Sequence, residues 1–452
     1  MKQDDYVLFK HKAQAWGLKK AIQYAIADPD ENLEKLMSLI PKLDENKAMK
    51  SHSDGFFKAV KDKEGNWYKF LLKILKEANP KQRDKFIENV IINATLFGRN
   101  KTTALSEKHD CNIPWAILMD PTSACNLRCT GCWAADYGNR LNLSLEELDD
   151  IIRQGKELGI YAYIYSGGEP LVRKRDIMTL CRKHQDCYFL AFTNGTLIDE
   201  DFADDMLEVG NFMPAISVEG FEDDTDFRRG EGCYRAVMKA MDILKTRNLV
   251  YGISCCYTHK NVNTIGSDAF MDEMISRGAY FAWYFTYIPI GKGAVKELMA
   301  TPQDRTFMLR KIREWRKNKQ IFTMDFWNDG QYVNGCIAAG RGYMHINANG
   351  DMEPCAFIHY SDSNIKEKTL MEGFKSPLFK GYRKRQPFNN NHLRPCPLLD
   401  NPNKLVEIVD EAEDAVSTDL EYRENVRELC GKCKDAADKW APVADELWEE
   451  VK

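Results

Sequence analysis

An α/β fold built on a parallel sheet is the class this chain predicts, and three observations carry it. Apolar, β-rich runs recur near residues 115–119, 160–165, 188–192, 212–218, 251–257 and 280–287. Helical patterns, such as 145–158 and 199–209, fall between them. Strands separated by helix-length segments need crossover connections, which make neighbours parallel and right-handed. Third, glycine-bearing turns close several runs, the place where α/β barrels carry their chemistry.

Residues 1–110 carry helical patterns and little strand signal, and are expected to form a helical N-terminal domain. Asn66-Trp67-Tyr68-Lys69-Phe70-Leu71-Leu72-Lys73-Ile74-Leu75-Lys76 is amphipathic, with lysines along one side. Its apolar face, Trp67, Phe70, Leu71, Ile74 and Leu75, would pack on a domain, line a channel or rest on a membrane surface. Residues 111–300 hold the six strands. The helix at 145–158 opens with Ser144 and Glu147 at capping-box spacing. Residues 301–452 contain Asn347-Ala348-Asn349-Gly350-Asp351, a turn signal between two strand-like runs. Cysteines surround that turn. Cys336, Gly350 and Cys355 give C-x13-G-x4-C, and Cys396, Cys430 and Cys433 follow.

At 452 residues the chain can hold more than one domain, and 44% hydrophobic residues allow sizeable cores. A net charge of −5 gives no reason to expect nucleic acid as a partner. No apolar stretch approaches a membrane span. Met1-Lys2-Gln3-Asp4-Asp5 lacks the basic and apolar regions of a signal peptide. Fourteen cysteines in such a chain suggest metal and thiol chemistry in a reducing compartment, so the cytoplasm is expected.

Cys125, Cys129 and Cys132 form C-x3-C-x2-C on one short stretch. Three thiolates so placed can hold three irons of a [4Fe–4S] cube and leave one iron open to a non-protein ligand. A structural zinc site would need a fourth protein ligand, and Cys111 and His109 sit well before the loop. Downstream, Tyr165-Ser166-Gly167-Gly168-Glu169-Pro170-Leu171 closes the second strand. Its glycines permit close approach to the backbone, and Glu169 offers an acceptor for an ammonium group.

Together these residues resemble the radical S-adenosylmethionine (SAM) superfamily. The resemblance implies a partial (β/α)6 TIM-like barrel, open on one side to admit substrate. In that family the three cysteines hold a [4Fe–4S] cluster whose open iron is chelated by the amino and carboxylate groups of SAM. Ser166, Gly167, Gly168 and Glu169 would bind the amino end. Thr193 and Asn194, in Phe192-Thr193-Asn194-Gly195-Thr196, resemble the strand end that passes beneath SAM. Ser217 would stand near the ribose, and Arg229 would meet the SAM carboxylate. The chain departs at Gly131, followed by Trp133, where the family usually has a bulky residue against the adenine. The C-x13-G-x4-C opening resembles the SPASM-type extension, an auxiliary iron–sulfur domain here spanning 301–452. The usual later run of closely spaced cysteines is missing. The five cysteines suit one auxiliary [4Fe–4S] cluster, held by Cys336, Cys355, Cys396 and one of Cys430 or Cys433.

The implied activity begins with reduction by a ferredoxin or flavodoxin. SAM is then cleaved to methionine and a 5′-deoxyadenosyl radical, which abstracts hydrogen from an unactivated C–H bond. A peptide or protein is the expected substrate, with a lipid acyl chain or other small molecule as the alternative. The reading of another class is a non-catalytic iron–sulfur electron carrier, which would need no SAM pocket.

Overall fold

The computed structural model describes residues 61–452 continuously, with isolated positions between 17 and 35. The rest of the expected N-terminal helical region lies outside the described residues. At the centre is one sheet of nine strands. These are β1 (Ala116–Met119), β2 (Ala162–Tyr165), β3 (Tyr188–Thr193), β4 (Phe212–Ser217), β5 (Gly252–Tyr257), β6 (Phe281–Thr286), β7 (Phe322–Asp325), β8 (Tyr343–Ile346) and β9 (Met352–Glu353). Their order is β7-β6-β5-β4-β3-β2-β1-β8-β9. All neighbours are parallel except β8 and β9, which form an antiparallel pair. The end strands do not pair, so the barrel stays open on one side.

The six expected strands are β1 to β6, and β7 and β8 extend the sheet at its two edges. β7 has four residues and an exposed first position, too little for a periodic signal. β8 and β9 are the hairpin arms around Gly350, whose φ is +94°. The hairpin was legible, but nothing local says that its first arm also pairs with β1.

Period-2 alternation splits the strands between two environments. Ile117, Tyr163, Phe189, Ile216, Ile253 and Tyr284 point outward and are buried beneath the helices. Leu118, Ile164, Phe192, Ser217, Cys256, Trp283 and Phe285 point inward and line a cavity. The expected capping box at Ser144 and Glu147 is formed, and its helix Leu145–Leu158 buries Leu148, Ile151 and Ile152.

The N-terminal helices cover the base of the barrel. Helix Asn66–Glu77 sets Trp67, Phe70 and Ile74 against Val250 and Tyr280, and Trp67 meets Phe322 edge-on at 5.9 Å. Its apolar face is therefore a packing face, and none of the five residues named above lines the cavity. The π-helical stretch Ile87–Gly98 follows, with Ala94 against Ala116 and Ala162. Buried amides fix these helices in place. Gln82 donates to the Phe212 carbonyl at 2.9 Å and accepts from the Val250 amide at 2.7 Å, and Asn89 donates to the Cys187 carbonyl at 2.7 Å. Among the described residues no helix is long and apolar enough to cross a membrane.

On the far side, helix Val426–Val451 packs on helix Pro402–Glu411. Arg305 joins it to the barrel by pairing with Asp400 at 2.7 Å and lying 4.1 Å over the Trp440 ring.

Candidate active site

The cysteine loop leaves the C-terminal end of β1 and is held by backbone. The amide of Ser166 donates to the Met119 carbonyl at 3.0 Å, that of Gly168 to Thr122 at 3.1 Å and that of Glu169 to Ala124 at 2.9 Å. A Cβ at Gly167 or Gly168 would collide with the carbonyls of Thr122, Ser123 or Ala124. The close approach that these glycines permit is made by the cysteine loop itself.

Glu169 is 1% exposed and already engaged. It accepts from the Thr193 hydroxyl at 2.6 Å, the Asn194 amide at 2.7 Å and the Leu171 amide at 3.0 Å. Burial nonetheless raises its pKa above the ordinary carboxylate value. Asn194 donates to Asn126 at 2.8 Å, and Asn126 in turn donates to Thr196 at 2.8 Å. Three motifs far apart in sequence thus converge at one end of the sheet, with Asn126 as a link that the sequence reading passed over.

Behind them is a charge cluster. Glu219 is fully buried, and burial alone would raise its pKa, yet Arg228 and Arg229 hold it below the usual value. Arg228 contacts its Oε1 at 2.8 Å, and Nε of Arg229 contacts the same oxygen at 2.9 Å. Two cations share one carboxylate, so one positive charge remains over. The Arg228 carbonyl accepts from the Thr130 amide at 2.8 Å, which ties this cluster to the cysteine loop.

The cavity occupies about 570 Å³. Ser166, Ser217, Arg228, Arg229 and Gly131 form its upper wall, while Thr193, Asn194 and Glu169 stand behind that wall. Trp283, Phe285, Phe326, Tyr343 and Phe357 form the side. Gly131 has φ +67°, and a Cβ there would lie 2.6 Å from the Tyr287 hydroxyl. Tyr287 thus fills the space that a side chain at 131 would take, and no local signal links the two positions. Trp133 lines the cavity but faces the C-terminal side, edge-on to His345 at 5.9 Å and to Phe357 at 5.8 Å. Cys256 lines the wall, and its neighbour Cys255 is buried in the outer core.

The second cysteine group lies behind β8 and β9. Cys355, Cys430 and Cys433 are buried, and Cys336 and Cys396 are partly so. The Tyr343 hydroxyl and the Cys355 thiol are 2.7 Å apart. Cys433 is within electrostatic range of both Cys396 and Cys430, whereas the charged neighbour of Cys430 is Glu424.

Between the two cysteine groups runs a buried polar chain. Ser166 donates to Asp120 at 2.6 Å, Asp120 lies 3.0 Å from His345 Nε2, and His345 Nδ1 lies 2.6 Å from Glu353. Tyr137 donates to the same carboxylate at 2.7 Å and stacks on His359 at 4.2 Å. Burial opposes charge on His345, but Asp120 and Glu353 outweigh it and raise its pKa to about 10.

The donor sets suit iron–sulfur clusters. All eight thiols are free. Burial lifts those of Cys336, Cys355 and Cys396 to about 12, so thiolates there call for bound cations, which cluster iron supplies. Among the described residues no group of three His, Cys, Asp or Glu could hold a single metal ion. A cube makes no such demand, since its cysteines sit on separate irons.

Comparison with known proteins agrees. Residues 119–264 match the radical SAM superfamily, and residues 336–397 match the SPASM iron–sulfur cluster-binding domain. The chain is 25% identical over 318 residues to Fe-coproporphyrin III synthase of Methanosarcina barkeri, covering 62% of this chain and 79% of that protein. It is 22% identical over 291 residues to PqqA peptide cyclase of Granulibacter bethesdensis, covering 60% and 76%. In fold it is similar to Streptococcus suis SuiB bound to its precursor peptide SuiA. The TM-score is 0.55 at 17% identity, over 79% of this chain and 91% of that one. The first match contains Cys125, Cys129 and Cys132 and the second contains Cys336, Cys355 and Cys396, and the chain is therefore a radical SAM enzyme with a SPASM-type domain, using SAM and [4Fe–4S] clusters as cofactors.

Proposed function

We propose that this enzyme activates an unactivated C–H bond on the apolar part of a substrate held inside the barrel. The observation that carries this reading is one continuous cavity, running from Gly131, Ser166 and Arg229 to the wall of Trp283, Phe285 and Phe357. Cys125, Cys129 and Cys132 would hold the cluster that binds SAM, and the bound cluster and SAM would supply hydrogen abstraction by reductive cleavage of the sulfonium. The chain's own residues position the reactants. Arg229, half-neutralised by Glu219, is the cation that receives the SAM carboxylate. Ser217 stands at the end of β4 to meet the ribose. Glu169 acts through position, strapping the end of β3 to the Gly-Gly turn. The aromatic wall excludes water from the reacting centre.

Cys336, Cys355, Cys396 and Cys433 would hold the auxiliary cluster, with Cys433 favoured over Cys430 by its nearness to Cys396. The division into residues 1–110, 111–300 and 301–452 serves the same reading as base cover, barrel and auxiliary domain. A ferredoxin or flavodoxin would supply the electron.

A small molecule is the first reading for the substrate, supported by the aromatic wall and by a relative named as an Fe-coproporphyrin III synthase. A peptide side chain is the second, favoured by the peptide named for PqqA cyclase and for SuiB. The test is 5′-deoxyadenosine release by anaerobically reconstituted protein. Wild type should carry about eight irons, two cubes, and release it. Each of Cys125→Ala, Cys129→Ala and Cys132→Ala should abolish release, and a single variant with full release would overturn the assignment. An iron-loaded wild type that cleaves no SAM would leave the electron-carrier reading.

A further inference from the structure

The cavity wall holds four arginines and no aspartate or glutamate. Two of the four, Arg228 and Arg229, share Glu219. The other two, Arg99 and Arg341, have no carboxylate partner among the described residues. Arg341 spends one nitrogen on the carbonyls of Asn334 and Cys336, at 2.8 and 2.9 Å, and the rest of its fork has no partner among the described residues. Arg99 accepts from the Thr102 hydroxyl through its carbonyl at 3.0 Å, but its guanidinium makes no hydrogen bond or ion pair among the described residues. Arg99 lies near enough to Arg341 to oppose its charge.

Their place in the fold matters as much as their charge. Arg99 directly follows the π-helical stretch that packs on Ala116 and Ala162 at the base of β1 and β2. Arg341 precedes Gly342, whose carbonyl accepts from Trp115 just before β1. Both arginines therefore stand at the strand N-terminal ends, opposite the cysteine loop. The strand β1 alone climbs about 10 Å between these two levels at the usual rise. Tyr332 and Val333, each 46% exposed, give this end of the cavity an apolar rim.

A pair of like charges on the wall of an aromatic cavity is costly when empty, and an anion relieves it. We infer that the substrate is a small apolar molecule bearing a carboxylate, which Arg99 and Arg341 hold at the base of the barrel while its apolar body reaches up towards the SAM end. Two planar guanidinium forks match a carboxylate bidentately, and a singly charged carboxylate is preferred to a phosphate because it costs less to bury against an aromatic wall. This inference rests on the small-molecule reading above. It makes the activated C–H bond remote from the acid group, at least the length of β1 away. A fatty acid and a ring system with acid side chains share that chemistry.

The test is fluorescence binding to the full reconstituted chain, with dansyl-labelled undecanoic acid, its methyl ester and coproporphyrin as probes. The acid should bind saturably and the ester about tenfold more weakly, the scale of a lost charge-assisted pair. Arg99→Gln and Arg341→Gln should each weaken the acid about tenfold and leave the ester unchanged. Tighter binding of coproporphyrin with the same arginine dependence would keep the inference and identify a ring body. Equal affinity for acid and ester in wild type overturns it without recourse to any variant, as does acid binding that both substitutions leave intact. Release of 5′-deoxyadenosine by wild type is scored separately, so failure here and failure of the radical SAM reading are told apart.

Discussion

Gly131 and Tyr287 show how one residue can be dictated by another far away in sequence. The left-handed φ of +67° already favours glycine, and the tyrosine hydroxyl removes the space for a side chain. That hydroxyl is itself held, accepting from the Val295 amide at 2.9 Å. Gly131→Ala should destabilise the protein by about 1–3 kcal/mol, through backbone strain and the clash together. Tyr287→Ala removes the clash but not the strain. The double variant should therefore be more stable than the sum of the single effects, and a urea denaturation cycle measures the difference. Strict additivity would mean that the two residues do not meet. Glu219 gives a second case at this scale. Glu219→Gln would leave two buried guanidinium groups without a countercharge, at a cost of about 3–5 kcal/mol. Glu219→Asp, which keeps the charge, should recover part of that loss.

Among the elements, the N-terminal helices decide whether the base of the barrel is sealed. Phe70 and Ile74 pack against Tyr280 and Val250, and neither reaches the cavity. Phe70→Ser with Ile74→Ser should therefore lower stability by several kcal/mol, at about 3–5 for the buried Phe70 and less for the half-buried Ile74. Acid-probe affinity of the folded fraction should not change. Retained stability with lost probe binding would instead make this helix part of a channel. The elements also mark where local reading ends. Six strands and the Ser144-capped helix were legible because alternation, period and cap agree within short windows. The convergence of Glu169 with Thr193 and Asn194 was legible as motif, though not its geometry, in which the carboxylate braces one strand end against the next. β8 as a partner of β1, Tyr287 above Gly131 and Arg99 beside Arg341 were not legible. Each depends on a contact between segments more than a hundred residues apart, and neither residue of such a pair carries a local mark of it.

At the scale of the whole molecule, His345 joins the two halves. It lies on β8, touches Asp120 after β1, and meets Glu353 on β9, two residues before Cys355. Its side chain is fully buried, as are both carboxylates. The imidazolium stands between the two carboxylates and offsets the cost of burying them. Its pKa, raised from the ordinary 6.5 to about 10, fixes the sign of the pH dependence. The unfolded chain gives up this proton near 6.5, and the folded chain holds it until about 10. The stabilisation is therefore fully present below about 6.5 and is lost progressively as pH rises towards 10. Wild-type melting temperature should fall across that window. His345→Gln should be less stable at pH 7 by about 3 kcal/mol, because two buried carboxylates lose their cation. Its own melting temperature should depend less on pH, so that the two curves converge as pH approaches 10. Other groups titrate in the same range in both proteins, so the difference between the curves isolates the histidine. Parallel curves from pH 7 to 10 would show that His345 is neutral in the folded protein. The junction between barrel and auxiliary domain would then be held by neutral hydrogen bonds rather than by charge.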